Sequence, residues 1–393
     1  MELLRGGKRL AQLSDTWFVV TLWALTRILH GLWLAIVGAQ NGRSVDSMLR
    51  NWDTVHYLAI ADNGYDLSDF APRVAFFPGL PLVLRAGQLF GLSNLLTGVV
   101  LSAVCSLLAA LALARLGGRW VALAWLVAPM SVFAMVVYTE APFAAAAFWA
   151  WERARRGQWP AAAALTALAC TLRVNGLFVA GAIGLLILLQ VRGLAAKARA
   201  IGWLTLPAVT FAAYMGYLWW LTGNSRAWLD AQKEGWQREF TWPWDTIKAT
   251  LRAIHDYPDF ALMFRFELVV FVLGLLLLAW LVGRRAWADG AYLAVTLAAF
   301  GTSIWLFSVP RSMLYWWPLW LVIGAWVRRR PTPAPGEAAE QPETIPAAQP
   351  PAPAGGGWPV AAWRVGLYAT YVVAAFGMSL WWARLFYLGQ WAG

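Results

Sequence analysis

The sequence predicts an all-α fold, a polytopic bundle of transmembrane helices that crosses the bilayer about 11 to 13 times. Of the 393 residues, 60% are hydrophobic and 13% are charged, whereas about a quarter of the residues are charged in an ordinary soluble chain. Apolar runs close to the roughly 20 residues that span hydrocarbon recur along the chain. They cover residues 17–39, 95–116, 120–137, 174–191, 201–221, 268–282, 291–309, 313–327 and 365–385. We therefore expect lipid to surround much of the chain.

The positive charge of the chain lies in short clusters between the apolar runs. The formal net charge is +11, and the clusters are Arg153, Arg155 and Arg156, then Arg284 and Arg285, then residues 328–330. Such clusters mark the cytoplasmic ends of membrane helices. They do not form the continuous basic surface of a nucleic-acid-binding protein. We expect a multi-pass protein of the plasma membrane and no nucleic-acid partner.

Polar segments divide the chain. Alternating crossings, counted back from the last basic cluster, place the loop at 222–265 outside the cell. The loop at 40–74 is also expected outside, because it lies one crossing after a basic N-terminus. Residues 331–357 are rich in Pro, Ala and Gly, which predicts a disordered cytoplasmic linker. We therefore divide the chain into a transmembrane domain at 1–330, this linker, and a C-terminal transmembrane helix at 358–393.

The segment at 75–91 is ambiguous. It carries Arg85 and three residues that favour turns, Pro78, Gly79 and Pro81, and proline interrupts a helix. The segment either spans the membrane or only re-enters it.

A short helix is predicted in the first outer loop, from about Asp53 to Asn63, with Gly64 at its end. Asp53, His56 and Tyr57 are spaced i, i+3 and i+4, so they share one face. This face places a carboxylate beside an imidazole where lipid headgroups meet water.

The same helix has an apolar face, and its aspartate has an alternative role. Val55, Leu58 and Ala59 form a surface that could lie on the membrane, so we expect an amphipathic juxtamembrane helix. Asp53 could instead cap the helix by accepting amide protons, since aspartate is favoured at that position.

Charged residues also occur inside apolar runs, where each costs about 2.5–3.5 kcal/mol on insertion scales unless it faces protein or water. They are Arg27, His30, Arg85, Glu140, Arg173, Arg265, Glu267 and Arg311. The first three can reach the membrane surface or pair within the protein. Glu140 and Arg173 have apolar sequence on both sides, which favours an internal site.

Several internal arginines and few internal carboxylates predict a cavity for an anion, because a guanidinium fork matches two phosphate oxygens. The phosphate of a lipid, beside Arg173 or Arg311, would fit such a cavity. The alternative is an internal ion pair, for example between Arg173 and Glu140.

The second outer loop is rich in tryptophan and in side-chain amides. It contains Asn224, Trp228, Gln232, Trp236, Trp242 and Trp244. Tryptophan rings can stack on a sugar face while amides bond to hydroxyls, but a helix at the membrane interface would have the same composition. Both interpretations stay open.

Together these residues resemble the GPI-anchor mannosyltransferase II family and its bacterial relatives, within the polytopic C-type glycosyltransferases. The matches follow the family's order, and they are Trp52-Asp53 with His56-Tyr57 and Gly64-Tyr65, Ala75-Phe76-Phe77-Pro78, Tyr138-Thr139-Glu140, Arg173 with Asn175-Gly176, Thr222-Gly223 to Gly235-Trp236, and Pro310-Arg311. Each motif is short, and their order and spacing make the resemblance specific. The Pro-rich segment at 331–357 departs from the family pattern.

The resemblance implies an inverting transfer of a sugar, usually mannose, from a polyprenyl-phosphate donor to a lipid or glycan acceptor on the extracytoplasmic side. The acidic residue of the first outer loop, Asp53, would be the catalytic base. We expect the donor phosphate to bind Arg173, Arg311 and His56. The expected substrate-binding residues are Trp52, Tyr57, Glu140, Asn175 and Trp236.

No cofactor and no metal is expected. Asp53 and His56 alone would give a metal ion too few ligands, and arginine can bind the leaving phosphate in place of a metal. Two other classes of protein fit part of the pattern. A flippase or transporter of a lipid-linked sugar would use internal arginines, but it does not need a carboxylate in an outer loop, and it should show internal repeats. A membrane scaffold would leave the cost of burying Glu140, Arg173 and Arg311 unexplained.

Overall fold

The computed structural model describes residues 2–69, 71–328 and 362–391. These residues form helices joined by short connections, and the described ranges contain no strand. The all-α prediction is confirmed. The predicted linker at 331–357 lies outside the described residues, as do the last two arginines of the cluster at 328–330.

Eighteen α-helices occur in the described part of the chain. They are α1 (Glu2–Asn41), α2 (Val45–Leu49), α3 (Asp53–Asn63), α4 (Gly79–Gln88), α5 (Asn94–Gly117), α6 (Arg119–Leu126), α7 (Glu140–Arg155), α8 (Trp159–Cys170), α9 (Asn175–Gln190), α10 (Leu194–Gly202), α11 (Thr205–Thr222), α12 (Ala227–Trp236), α13 (Pro243–Asp256), α14 (Ala261–Gly283), α15 (Trp287–Gly301), α16 (Val309–Ser312), α17 (Trp317–Arg328) and α18 (Ala362–Tyr387). Short 3₁₀ turns lie at Ala71–Ala75, Ser131–Ala134, Pro258–Phe260 and Met313–Tyr315.

Among the described residues, five helical segments are long and apolar enough to cross a membrane. They are Ser14–Asn41, Asn94–Gly117, Leu194–Thr222, Pro258–Gly283 and Trp363–Tyr387. Three shorter apolar helices accompany them, at Trp159–Cys170, Asn175–Gln190 and Trp317–Val327. The prediction of a polytopic membrane bundle is therefore confirmed, while the number of crossings stays a prediction.

Some of the predicted spans are interrupted in the structure, and the ambiguous segment is short. The run at 120–137 is broken, because α6 ends at Leu126 and a 3₁₀ turn follows Pro129, which cannot continue a helix. The run at 291–309 is interrupted where α15 ends, at Gly301. In the ambiguous segment at 75–91, α4 has ten residues and is about 15 Å long. That length is half of the hydrocarbon thickness, so α4 alone does not cross the membrane.

Helix α7 is the centre of the bundle, although the sequence analysis did not predict it as a separate helix. It packs against α5 and α8, and 13 of its 16 residues are buried, so protein surrounds it on all sides. Four consecutive alanines, at 144–147, allow the neighbouring helices to approach closely. Because α7 begins at Glu140, the central helix carries a carboxylate at its N-terminus, where negative charge is favoured.

Two motif glycines allow close packing around the turn that carries Arg173. A Cβ atom at Gly79 would lie 2.7 Å from the carbonyl oxygen of Thr171, to which the Gly79 N–H donates a hydrogen bond of 2.8 Å. A Cβ atom at Gly176 would lie 2.6 Å from the backbone nitrogen of Cys170. Both distances are too short for a larger residue, so these glycines position Arg173 between α8 and α9.

Candidate active site

One cavity of about 350 Å³ brings together the two outer loops and the internal arginines. Seven of the sequence-predicted site residues line it: Trp52, Asp53, Tyr57, Arg173, Asn175, Trp236 and Arg311. Tyr138, Arg238, Ser308 and Trp391 also line the cavity, with residues of the Ala75-Phe76-Phe77 motif. His56 and Glu140 are not among the lining residues. Its volume suits a ligand the size of a sugar phosphate.

A chain of ion pairs forms the floor of the cavity. Arg311 donates from Nη1 to Asp53 Oδ2 at 2.9 Å, and its Nε lies 3.1 Å from Glu140 Oε1. Arg173 donates from Nη1 to the same Glu140 oxygen at 2.9 Å. The negative charges of these two carboxylates therefore neutralise the positive charges of the two guanidiniums. The alternative pairing of Arg173 with Glu140 is found in the structure, and Arg173 still lines the cavity.

These charged groups are shielded from bulk solvent to different degrees. The Glu140 side chain is fully buried, whereas the Asp53 side chain is 21% exposed and lies where the cavity opens. The Arg173 guanidinium lies over the Tyr315 ring at 5.3 Å, and that of Arg311 over the Tyr138 ring at 5.5 Å. The rings hold both cations in place by cation–π attraction.

The carboxylate of Asp53 does not cap its helix. The residue at the N-cap of α3 is Trp52, and no side chain caps that end. The Asp53 N–H donates instead to the Tyr138 hydroxyl at 3.0 Å, and the carboxylate accepts from Arg311. The side chain is thus directed to the cavity and not to the amides of its own helix.

The apolar face predicted for α3 differs from the observed one. Leu58 is buried in the protein core, while Val55 is 45% exposed. The helix packs against α4, so its apolar residues face both protein and surface.

The backbone just before Asp53 is strained. Trp52 has φ 54° and ψ −129°, a region that non-glycine residues rarely adopt and that costs about 1–3 kcal/mol. Residues at and just after the end of α18 hold this conformation. The Trp52 indole N–H donates to the Gln390 carbonyl at 3.1 Å, and the Asn51 amide donates to the Phe386 carbonyl at 2.8 Å.

We expect Asn51→Ala to destabilise the site by releasing this contact. The variant removes hydrogen bonds across the two segments, so the free energy of unfolding should fall by about 1–3 kcal/mol, measured as a lower melting temperature in detergent. Asn41→Ala is the control, because the Asn41 amide bonds only to Val37 in its own helix. Equal melting temperatures for the two variants would contradict the role of α18 as a support.

A buried carboxylate positions Arg311. Glu267 is 1% exposed and accepts hydrogen bonds from the backbone N–H groups of Ser308 and Val309, both at 2.8 Å. These bonds cap α16 and stabilise the left-handed conformation of Ser308, whose φ is 66°. Glu267 was noted in the sequence as a charge in an apolar run, and this contact explains its burial.

Aromatic residues separate His56 from the cavity. The His56 ring lies against Phe76, with centroids 5.1 Å apart, and the other neighbours of Phe76 include Tyr57 and Trp236. Tyr65 and Tyr214 both donate to the Phe76 carbonyl, which fixes the motif. The predicted contact of His56 with the donor phosphate stays a prediction.

The pKa of His56 predicts a dependence of stability on pH. Burial lowers this pKa below its usual value, and the nearby carboxylate of Asp53 opposes the shift. The unfolded chain therefore binds a proton at this residue at a higher pH than the folded chain does, near the usual histidine pKa of about 6.5. The contribution of His56 to stability is present above that pH and is lost as the pH falls below it. His56→Gln should reduce the fall in melting temperature between pH 7 and pH 5. His255→Gln, at an exposed histidine, should leave that fall unchanged, and identical curves for all three proteins would contradict the prediction.

Part of the chain is similar to a known family of proteins. Residues 35–200 match the family described as mannosyltransferase (PIG-V). The resemblance to the GPI mannosyltransferase II family is confirmed for this part of the chain. In this family, the GPI alpha-1,6-mannosyltransferase 2 of Rattus norvegicus is 38% identical over 164 residues, which cover 37% of this chain and 32% of the relative. The Homo sapiens protein of the same name is 36% identical over 153 residues, which cover 34% of this chain and 30% of the relative.

The match to the mannosyltransferase family is limited in extent. The chain spans about a third of the length of the curated relatives it matches. The matched segment contains Asp53, Glu140 and Arg173, whereas the Thr222 to Trp236 loop and Arg311 lie outside it. No solved structure matches the chain.

Sequence reasoning missed Arg238 and Ser308, two lining residues of the cavity. Arg238 follows the Gly235-Trp236 motif in a loop with other charged residues, so it resembles an ordinary surface arginine. Ser308 lies inside the apolar run at 291–309 and gives no signal. Only the fold shows that both face the same cavity as Asp53.

Proposed function

We propose that this protein is a membrane glycosyltransferase that moves a mannose-like sugar from a polyprenyl-phosphate donor to a lipid or glycan acceptor. The observation that carries the proposal is the cavity itself, which joins Asp53 with Arg173 and Arg311. An outer-loop carboxylate and buried guanidiniums, in a chain that matches a mannosyltransferase family, suit the transfer of a sugar from a phosphate.

In the proposed mechanism, the acceptor hydroxyl donates a hydrogen bond to ionised Asp53. Asp53 takes the proton while the acceptor oxygen attacks the anomeric carbon from the face opposite the phosphate. One displacement forms the new glycosidic bond, breaks the bond from the anomeric carbon to the phosphate oxygen, and inverts the anomeric centre. The phosphate leaves with one more negative charge, which preorganised guanidiniums stabilise.

The other predicted residues have roles that follow from their positions. Trp52, Tyr57, Asn175 and Trp236 line the cavity and would contact the sugar or the acceptor, with the aromatic rings supplying flat apolar surfaces. Glu140 lies beneath the arginines, so we assign to it the role of holding them in position.

The proposed location is the plasma membrane, with the cavity on the extracytoplasmic side. The basic clusters predict that the loops carrying Asp53 and Trp236 lie outside. A cysteine introduced at exposed Asp66 should then react with a membrane-impermeant maleimide in intact cells. Protection of this cysteine until the cells are lysed would place the cavity on the other side.

The test of function is transfer of radiolabelled mannose by the purified protein from synthetic polyprenyl-phosphate-mannose to acceptor lipids or glycans. We expect label in an acceptor product, with the opposite anomeric configuration, and activity that survives a chelator. No transfer to any acceptor would contradict the proposal. Movement of the intact donor across a vesicle membrane without transfer would instead support a flippase.

A further inference from the structure

A third arginine, Arg238, lines the cavity beside Arg173 and Arg311. Within the described ranges, its side chain forms no ion pair, whereas Arg173 and Arg311 are paired with Glu140 and Asp53. Its guanidinium lies over the Phe300 ring, at 5.9 Å. Arg238 is therefore a cation with no described carboxylate at ion-pair distance.

The position of Arg238 is set by the end of α12. Gln237 adopts a left-handed conformation, with φ 52° and ψ 30°, which ends the helix. The Arg238 N–H then donates to the Gln232 carbonyl at 3.1 Å. This turn directs the chain back over the cavity, and Gln232, Gly235 and Trp236 line it too.

The electrostatics of the cavity favour an anion near Arg238. Burial, together with the positive charges of Arg311 and Arg173, lowers the pKa of Arg238 to about 10. The side chain is still protonated at neutral pH. Asp53 and Glu140 form ion pairs with Arg173 and Arg311, whereas Arg238 forms no ion pair with any described residue. The carboxylates of Asp53 and Glu267 act on Arg238 only from a longer distance.

A buried hydroxyl group provides a second and independent observation. Ser308 lines the same cavity and is 3% exposed, and its Oγ atom has no hydrogen-bond partner among the residues that the structure describes. A buried polar group without a partner costs free energy. A ligand oxygen in the cavity would remove this cost by accepting a hydrogen bond from the Ser308 hydroxyl.

We propose that Arg238 and Ser308 bind the phosphate of the glycosyl donor. The inference rests on the proposed function and goes beyond it, because Arg173 and Arg311 are then occupied mainly with Glu140 and Asp53. The guanidinium of Arg238 binds two phosphate oxygens, and the Ser308 hydroxyl donates to one of them.

The charges balance before and after the reaction with this assignment. A polyprenyl-phosphate sugar is a phosphodiester with one negative charge, which matches the one arginine of the cavity that forms no ion pair with a described residue. Transfer leaves a phosphate monoester with one further negative charge and moves the acceptor proton to Asp53. Neutral Asp53 releases Arg311 from its ion pair, and Arg311 then neutralises the added charge on the phosphate.

The experiment measures binding of two radiolabelled lipids to the purified protein in nanodiscs: a polyprenyl phosphate and the matching neutral polyprenol. Arg238→Gln should weaken binding of the phosphate about 10-fold or more, because hydrogen bonds to charged groups are strong. Ser308→Ala should weaken it by a smaller factor, about 3-fold. Neither variant should change binding of the polyprenol. Arg226→Gln, at an exposed arginine of the same loop, is the matched control and should bind both lipids as the wild type does.

Stability separates a binding role from a structural one. Arg238→Gln removes a cation that forms no ion pair with any described residue, so the melting temperature without lipid should stay the same or rise. A lower melting temperature together with weaker binding of both lipids would mean a structural role and would overturn the assignment. Equal affinity of wild type and Arg238→Gln for polyprenyl phosphate, or no binding by the wild type, would overturn it too. Failure of the proposed function would appear separately, as wild-type protein that binds polyprenyl phosphate but transfers no mannose.

Discussion

Replacement of Asp53 by asparagine should lower the rate of mannose transfer by about 10²–10⁴-fold, the usual contribution of a positioned general base. Asparagine has nearly the same shape but cannot accept the proton of the acceptor hydroxyl. Arg311 keeps its contact with Glu140 at 3.1 Å, so the fold and the binding of the donor should persist. The measurement is initial transfer rate at saturating donor, with donor binding determined on the same preparation.

The matched control for Asp53→Asn is Asp46→Asn. Asp46 lies in the same outer loop and is also paired with an arginine, Arg50, at 2.8 Å, but its side chain is 61% exposed. An exposed pair of this kind contributes little to stability, so this variant should transfer mannose at the wild-type rate. A near-normal rate for Asp53→Asn would remove Asp53 from the role of base, whatever the control shows.

The second large effect is expected at Glu140. Its fully buried carboxylate contacts both Arg173 and Arg311, so Glu140→Gln leaves two buried cations with a single carboxylate, that of Asp53. Removal of one partner from a buried ion pair typically costs about 3–5 kcal/mol of folding free energy. We expect a melting temperature several degrees lower and little transfer activity. Glu234→Gln, at an exposed carboxylate, should change neither.

A double variant tests the cause of the Glu140 effect. Glu140→Gln combined with Arg173→Gln removes one charge of each sign and leaves the pair of Arg311 with Asp53. Stability should therefore recover in part, although activity should not. The alternative is that the two single losses of stability simply add in the double variant. Glu140 and Arg173 are then not coupled, and the ion-pair explanation is wrong.

The helical membrane fold was predictable from the sequence because lipid imposes a simple rule on composition. Where α5 and α14 face lipid, their apolar runs are long and their ends clear. Helix α7 could not be predicted from such an apolar run. It is surrounded by protein, and its alanine-rich sequence ends in charged residues, so hydropathy did not separate it from its neighbours. The break after Leu126 depended on one proline within an otherwise apolar run.

The candidate site was predictable in part, and for a specific reason. Asp53, Glu140 and Arg173 lie in short motifs, and charges in apolar surroundings attract attention because they are costly. Which charges pair could not be predicted, since Asp53 and Arg311 are separated by 258 positions. Arg238 and Ser308 carried no such signal, because arginines are common in the polar loops of membrane proteins and serines are common within apolar runs. Their significance comes from the cavity that the fold creates.

The contact between α18 and the strained Trp52 can form only late in synthesis of the chain. Ribosomes make α18 after every other element of the cavity, and until then the carbonyls of Phe386 and Gln390 cannot support the backbone before Asp53. Chains still being translated would therefore hold a partly assembled cavity. The backbone before Asp53 is supported only after α18 has inserted beside α1.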